Sequence, residues 1–92
     1  MLYVLKDPNA FRDYPIDWED WLTSGESISS SDWLVSGPDN SLLLDTSGNT
    51  DTTTTIWLSG GTSTYIYTVT NRVTSTYGRI DDKSIRVTIY EQ

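Results

Sequence analysis

The chain has no cysteine and no histidine. The first absence excludes disulfides, thiolate metal sites and a cysteine nucleophile. The second removes the commonest general base and the commonest transition-metal ligand. Alanine occurs once, at Ala10, which argues against a helical protein. Cations are scarce: 6 Lys and Arg stand against 13 Asp and Glu, for a net charge of −7. A general affinity for nucleic acid is therefore not expected. No Lys or Arg falls between Asp13 and Asn71, whereas Asp13, Asp17, Glu19, Asp20, Glu26, Asp32, Asp39, Asp45 and Asp51 all do. That distribution reads as solvated loops whose carboxylates pair with the basic termini. The sharper alternative is an acidic face for a basic partner, or self-association of acidic and basic ends. No apolar run approaches the ~20 residues that span a bilayer, so no membrane partner is expected. The opening Met1-Leu2-Tyr3-Val4-Leu5-Lys6-Asp7 also lacks the basic start and small-residue cleavage site of a signal peptide.

The catalytic templates fail on residue types as well. There is no Gly-Lys-Ser/Thr phosphate loop and no His-Glu-x-x-His. Carboxylates alone would permit a glycosidase-like acid pair, but a small sandwich offers little concavity for a sugar. The expectation is a protein without enzymatic activity and without a cofactor. Asp39-Asn40 with Asp45, Asp51 or Asp81-Asp82 would offer oxygen ligands to Ca²⁺, yet no EF-hand spacing is present and Asp and Asn in turns ordinarily bond the local backbone.

What is abundant is threonine, serine, tryptophan and tyrosine, a composition of pleated strands. Turn residues recur at short intervals: Asp7-Pro8-Asn9, Ser24-Gly25, Ser36-Gly37-Pro38-Asp39-Asn40, Ser47-Gly48-Asn49, Ser59-Gly60-Gly61 and Tyr77-Gly78. Such punctuation suits a sandwich of short strands. The firmest strand runs from Thr64 to Thr74, with Tyr65, Tyr67, Val69, Asn71 and Val73 on the inward parity. A turn through Ser75-Thr76-Tyr77-Gly78 and a polar Asp81-Asp82-Lys83 connection lead to a closing strand, Ser84 to Tyr90, with Ile85, Val87 and Ile89 inward. The two are predicted to form an antiparallel hairpin.

Upstream, residues 52–58 predict a strand with Thr54, Ile56 and Leu58 on one face and Trp57 on the other. Residues 41–45 predict a strand buried on more than one side. Between Ile28 and Val35 the parity of apolar residues changes, which predicts a bulge. Residues 13–18 read as an extended edge that tolerates Pro15. Trp18, Trp21 and Leu22 have the spacing of one helical turn. Residues 1–12 are expected to be an arm with an apolar start, followed by the sandwich over 13–92. Trp18, Trp21 and Trp33 are assigned to the core or its rim, and Asn71 to a buried, hydrogen-bonded structural role. The residues expected to meet a partner are Leu2, Tyr3, Val4 and Leu5 of the arm, and Trp57 as the exposed aromatic.

The stretch Tyr67 to Ile89 resembles the last hairpin of immunoglobulin-like domains of the fibronectin-III or PKD kind, with Tyr65 or Tyr67 at the tyrosine-corner position. A second resemblance rests on Lys6-Asp7-Pro8, Asp13-Tyr14 with Asp17-Trp18 and Trp21-Leu22, Ser29-Ser30-Ser31 before Trp33, Trp57-Leu58-Ser59-Gly60-Gly61-Thr62, Thr70-Asn71-Arg72, and Gly78-Arg79 with Asp81 to Ser84. On these residues the chain resembles a family of small virion proteins of tailed bacteriophages. The resemblance implies an all-β, immunoglobulin-like sandwich that assembles in the host cytoplasm and ends in the virion. Its leading implication is a cement or decoration protein bound to the major capsid protein or other virion proteins. A neck, connector or tail-fibre component is the second, and a host-surface glycan-binding module the third.

Overall fold

The alternation of buried and solvent-facing side chains dictates the architecture. The computed structural model of the chain describes residues 2–91. Seven strands are assigned in them: β1 (Leu2–Lys6), β2 (Arg12–Asp17), β3 (Ile28–Ser36), β4 (Leu42–Asn49), β5 (Thr53–Gly60), β6 (Ile66–Ser75) and β7 (Ile80–Ile89). They form two sheets, β1-β7-β6-β3 and β2-β5-β4. Every pairing is antiparallel except β1 with β7, which is parallel. In immunoglobulin terms the last two long strands and β3 form one sheet, and β2, β5 and β4 the other. The fold is the expected all-β, immunoglobulin-like sandwich.

Its dry interior comes from one parity of each strand. Tyr67, Val69 and Val73 of β6 and Ile85, Val87 and Ile89 of β7 are wholly buried, and Ile56 and Leu58 of β5 with Tyr14 and Ile16 of β2 face them from the other sheet. The other parity of β6 is Thr68, Thr70, Arg72 and Thr74, which keeps the outer face wet. At the centre, the Asn71 amide joins both sheets. Its Oδ1 accepts from Trp18 Nε1 (3.0 Å) and Thr54 Oγ1 (2.6 Å), and its Nδ2 donates to Ser31 Oγ (2.8 Å) and the Asp32 carbonyl (3.0 Å). The expected bulge lies between Ile28 and Ser30 of β3.

Several local expectations are corrected. The segment expected as an arm is a strand: β1 is zipped onto β7 from Leu2↔Ile85 to Lys6↔Ile89. Lys6 is buried, and its ammonium donates to the carbonyls of Gly60 (2.7 Å) and Asp7 (2.9 Å). The boundaries 1–12 and 13–92 thus cut through one sandwich, with β2 already begun at Arg12; Met1 and Gln92 lie outside the described residues. Trp18–Leu22 is a single hydrogen-bonded turn, not a helix. Trp21 and Leu22 amides donate to the Trp18 carbonyl, and the chain then reverses at Gly25, whose φ of 79° no helix accepts. The strand over 41–45 is an edge with Leu43 exposed, rather than one buried on several sides. Asp81-Asp82-Lys83 belong to β7, where Asp82 takes a paired guanidinium from Arg72 across the ladder (2.8 and 3.0 Å). Tyr65 lies outside β6 and is partly exposed, so the tyrosine-corner role falls to Tyr67.

Candidate interaction surfaces

Each end of the sandwich is held by a carboxylate. At one end, the 18–27 loop meets the β6–β7 turn through Glu26, whose side chain is buried. Glu26 accepts from the Arg79 guanidinium through both oxygens and from the amide and hydroxyl of Thr23 (2.9 and 3.0 Å). Arg79 also donates to the Trp21 carbonyl (2.9 Å) and lies 4.4 Å over the Trp21 ring. Tyr77 donates its hydroxyl to the Ser24 carbonyl (3.0 Å), which fixes the rim of this end. Tyr77 and Ile80 remain exposed there.

At the opposite end, Asp39 gathers three hydroxyls: Thr62 (2.6 Å), Tyr67 (2.5 Å) and Ser41 (2.8 Å). The Tyr67 hydroxyl also accepts from the Thr62 amide (3.1 Å), closing the loop back onto β6 as a tyrosine corner does. The turn residue Gly60 has φ +76°, and a Cβ there would meet the Ser41 carbonyl oxygen at 2.3 Å, so only glycine fits. Asp39 is therefore committed to the fold rather than to a cation. Among the described residues no group of three or more Asp, Glu, His or Cys side chains is arranged to hold a metal. Tyr65, Ile66 and Tyr90 are exposed around this end.

The hydrogen bonds from Arg79, with those from Ser75 and Thr23, hold the Glu26 carboxyl well below the usual glutamate range against the cost of burial. The hydroxyls of Thr62, Tyr67 and Ser41 do the same for Asp39. A carboxylate with a depressed folded pKa stabilises the fold above its unfolded value and loses that contribution as pH falls. The thermal midpoint is accordingly expected to decline below about pH 4.3, the unfolded glutamate value. Glu26→Gln is expected to flatten that decline, as calorimetry between pH 2.5 and pH 6 in roughly half-unit steps would show. An unchanged acid slope in the variant would remove Glu26 from the account.

The five residues expected to meet a partner are not one patch. Tyr3 and Leu5 point outward from the four-stranded sheet and are 68% and 63% exposed. Arg86 of β7 lies 6.0 Å over the Tyr3 ring. Leu2 is exposed on the other parity, where it lines a groove of about 560 Å³ between β1, β2 and β7, and Val4 packs against the core. Trp57 is half-buried on the outer face of the three-stranded sheet, where Phe11 stacks on it at 5.0 Å. One face of its ring is thus already covered. The end residues Tyr77, Ile80 and Tyr90 carry no distinguishing pattern in the sequence, and Tyr65, expected inward, is exposed.

Residues 6–88, nearly the whole sandwich, match the family model described as podophage GP4 fiber-tail adaptor protein gp77. The chain belongs to that family. It is a structural protein of a bacteriophage virion, and its partners are other virion proteins. The family description names a fibre–tail adaptor, not a capsid cement; the specific expectation of a capsid partner draws no support from it, whereas the tail-fibre alternative does. No curated protein matches the chain.

Proposed function

We propose that this protein is a passive adaptor that joins a fibre to the phage tail, without enzymatic activity. The observation that carries the reading is the family match over residues 6–88. The shape supports it: the molecule measures 43 × 19 × 19 Å, with exposed Tyr77 and Ile80 at one end and Tyr65, Ile66 and Tyr90 at the other. A rod with apolar side chains at both ends can bury each end against a different protein. The ends also resist deformation, because Glu26–Arg79 and Asp39–Tyr67 pin the loops that carry them. A rigid connector transmits orientation, which a fibre attachment requires.

Phage made without this chain are expected to have filled heads and intact tails but no fibres, with infectivity reduced at least a hundredfold. Electron microscopy of purified particles and plaque counts would measure both. Particles that keep their fibres but leak DNA from the head would instead support capsid cementing.

A further inference from the structure

Three connections meet at one end of the sandwich: the 18–27 loop, the β4–β5 hairpin over 50–52 and the β6–β7 turn over 76–79. Main-chain bonds tie them together. The Trp18 and Ile28 amides donate to the carbonyls of Thr52 (2.8 Å) and Asp51 (2.9 Å), and the Thr76 amide donates to that of Ser27 (2.8 Å). The same ties hold an aromatic ring in the open. Tyr77 is 59% exposed, yet its hydroxyl is fixed on the Ser24 carbonyl and its amide on Ser75 Oγ (3.2 Å). Gly25 leaves the room for this, since a Cβ there would come within 2.9 Å of the Tyr77 hydroxyl. A ring already ordered in the free protein loses little side-chain entropy when a partner covers it. Ile80, at the start of β7, adds a second exposed apolar side chain beside the turn.

Charge around this end is one-sided. Glu19 and Asp20 of the loop and Asp51 of the hairpin are exposed, and all three fall in the stretch from Asp13 to Asn71 that has no Lys or Arg. Neither ion pair among the described residues involves them. The nearby cations are engaged elsewhere. Arg79 is held by the buried Glu26 and also lies in the field of Asp81, and Arg72 is paired with Asp82. The Lys83 ammonium turns onto the Trp18 ring and the Asp17 carbonyl.

We propose that the Tyr77 end docks onto a basic surface of a different virion protein. That surface presents an apolar hollow to Tyr77 and Ile80, and lysine or arginine side chains to Glu19, Asp20 and Asp51. An apolar centre inside a charged rim is the anatomy of a specific interface, and opposite charge at the rim orients the encounter. A second copy of this chain does not match. Its own Tyr77 end carries the same carboxylates, and at its other end Lys6 is buried while Arg12 and Arg86 lie on different sheets. The proposal rests on the adaptor reading, since it gives the chemistry of one of the two attachments that an adaptor makes.

The test uses the assembled phage. A photo-crosslinking phenylalanine analogue replaces Ile80 in one preparation and Tyr90 in another, and a further preparation carries Glu19→Lys, Asp20→Lys and Asp51→Lys together. The expected result is a cross-link in purified virions from position 80 to a lysine- or arginine-bearing segment of another virion protein. Incorporation of the charge-reversed chain is expected to fall by about tenfold or more. If that chain does not fold, Glu19→Gln with Asp20→Asn and Asp51→Asn keeps the side-chain sizes, and a loss of about threefold is expected. Undiminished incorporation of the folded variant, or a cross-link from position 80 to an acidic or uncharged segment or to a second copy of this chain, would overturn the stated partner. Full incorporation with a cross-link from position 90 alone would overturn the Tyr77 end as a docking surface and leave the adaptor intact. Recovery of the chain with isolated heads rather than tails would overturn the adaptor reading itself.

Discussion

Asn71→Ala is expected to destabilise the domain by about 3 kcal/mol, which lowers the melting temperature by roughly 12–24 °C in a chain of this size. The substitution deletes four hydrogen bonds at once from a wholly buried position. Trp18 Nε1 retains only its longer contact with Thr54 Oγ1 (3.2 Å), and the Asp32 carbonyl loses its side-chain donor. A buried polar group without a partner costs more than the bond itself was worth. The loss also separates the layers. Trp18 follows β2 and Thr54 lies in β5 of one sheet, while Ser31, Asp32 and Asn71 belong to the other. Thermal unfolding followed by circular dichroism measures the effect, and a shift under about 5 °C would mean that water replaces the amide at little cost.

The second large effect separates two tryptophans. Trp18→Ala is expected to cost about 3–5 kcal/mol, a large share of the ~5–15 kcal/mol that holds a small domain together. Trp18 is 0% exposed, meets the Trp21 ring edge-on at 5.3 Å and lies under the Lys83 ammonium at 4.6 Å. Removing it opens a cavity beneath the 18–27 loop and orphans part of the Asn71 network. Trp57→Ala removes only a half-buried ring and its Phe11 contact, so about 1 kcal/mol is expected. Because Trp18 and Asn71 share a bond, the double variant should fall short of the sum by about 1 kcal/mol or more. Urea unfolding of the wild type and the four variants decides this; a Trp57 variant less stable than the Trp18 variant would contradict the packing described.

The contrast also explains what the sequence made legible. Strands β5, β6 and β7 alternate large apolar residues with threonine or charge, so their buried faces were readable, and so was Asn71 as a buried polar exception. In β1 the pattern is hidden. The exposed residues Leu2, Tyr3 and Leu5 are apolar, and the most buried residue is a lysine. Three leucines in a row conceal the alternation of β4 in the same way. The helical spacing of Trp18, Trp21 and Leu22 was genuine, but one turn is too short to propagate once Gly25 reverses the chain. The long-range pairs Glu26–Arg79 and Asp39–Tyr67 had no local signature, since each joins residues brought together only by the finished sandwich. The acidic middle did pair with a basic terminus at Arg79, and the surplus of carboxylate was left on the surface. Tyr3 and Leu5, expected on a loose arm, lie instead on an edge strand.

The most direct measurement is the position and contacts of this domain in a high-resolution electron-microscopy map of the intact phage. A 43 Å rod is predicted at the tail, with its Tyr77 and Tyr90 ends against different proteins. Density for the domain spread over the capsid lattice, or with both ends in solvent, would contradict it.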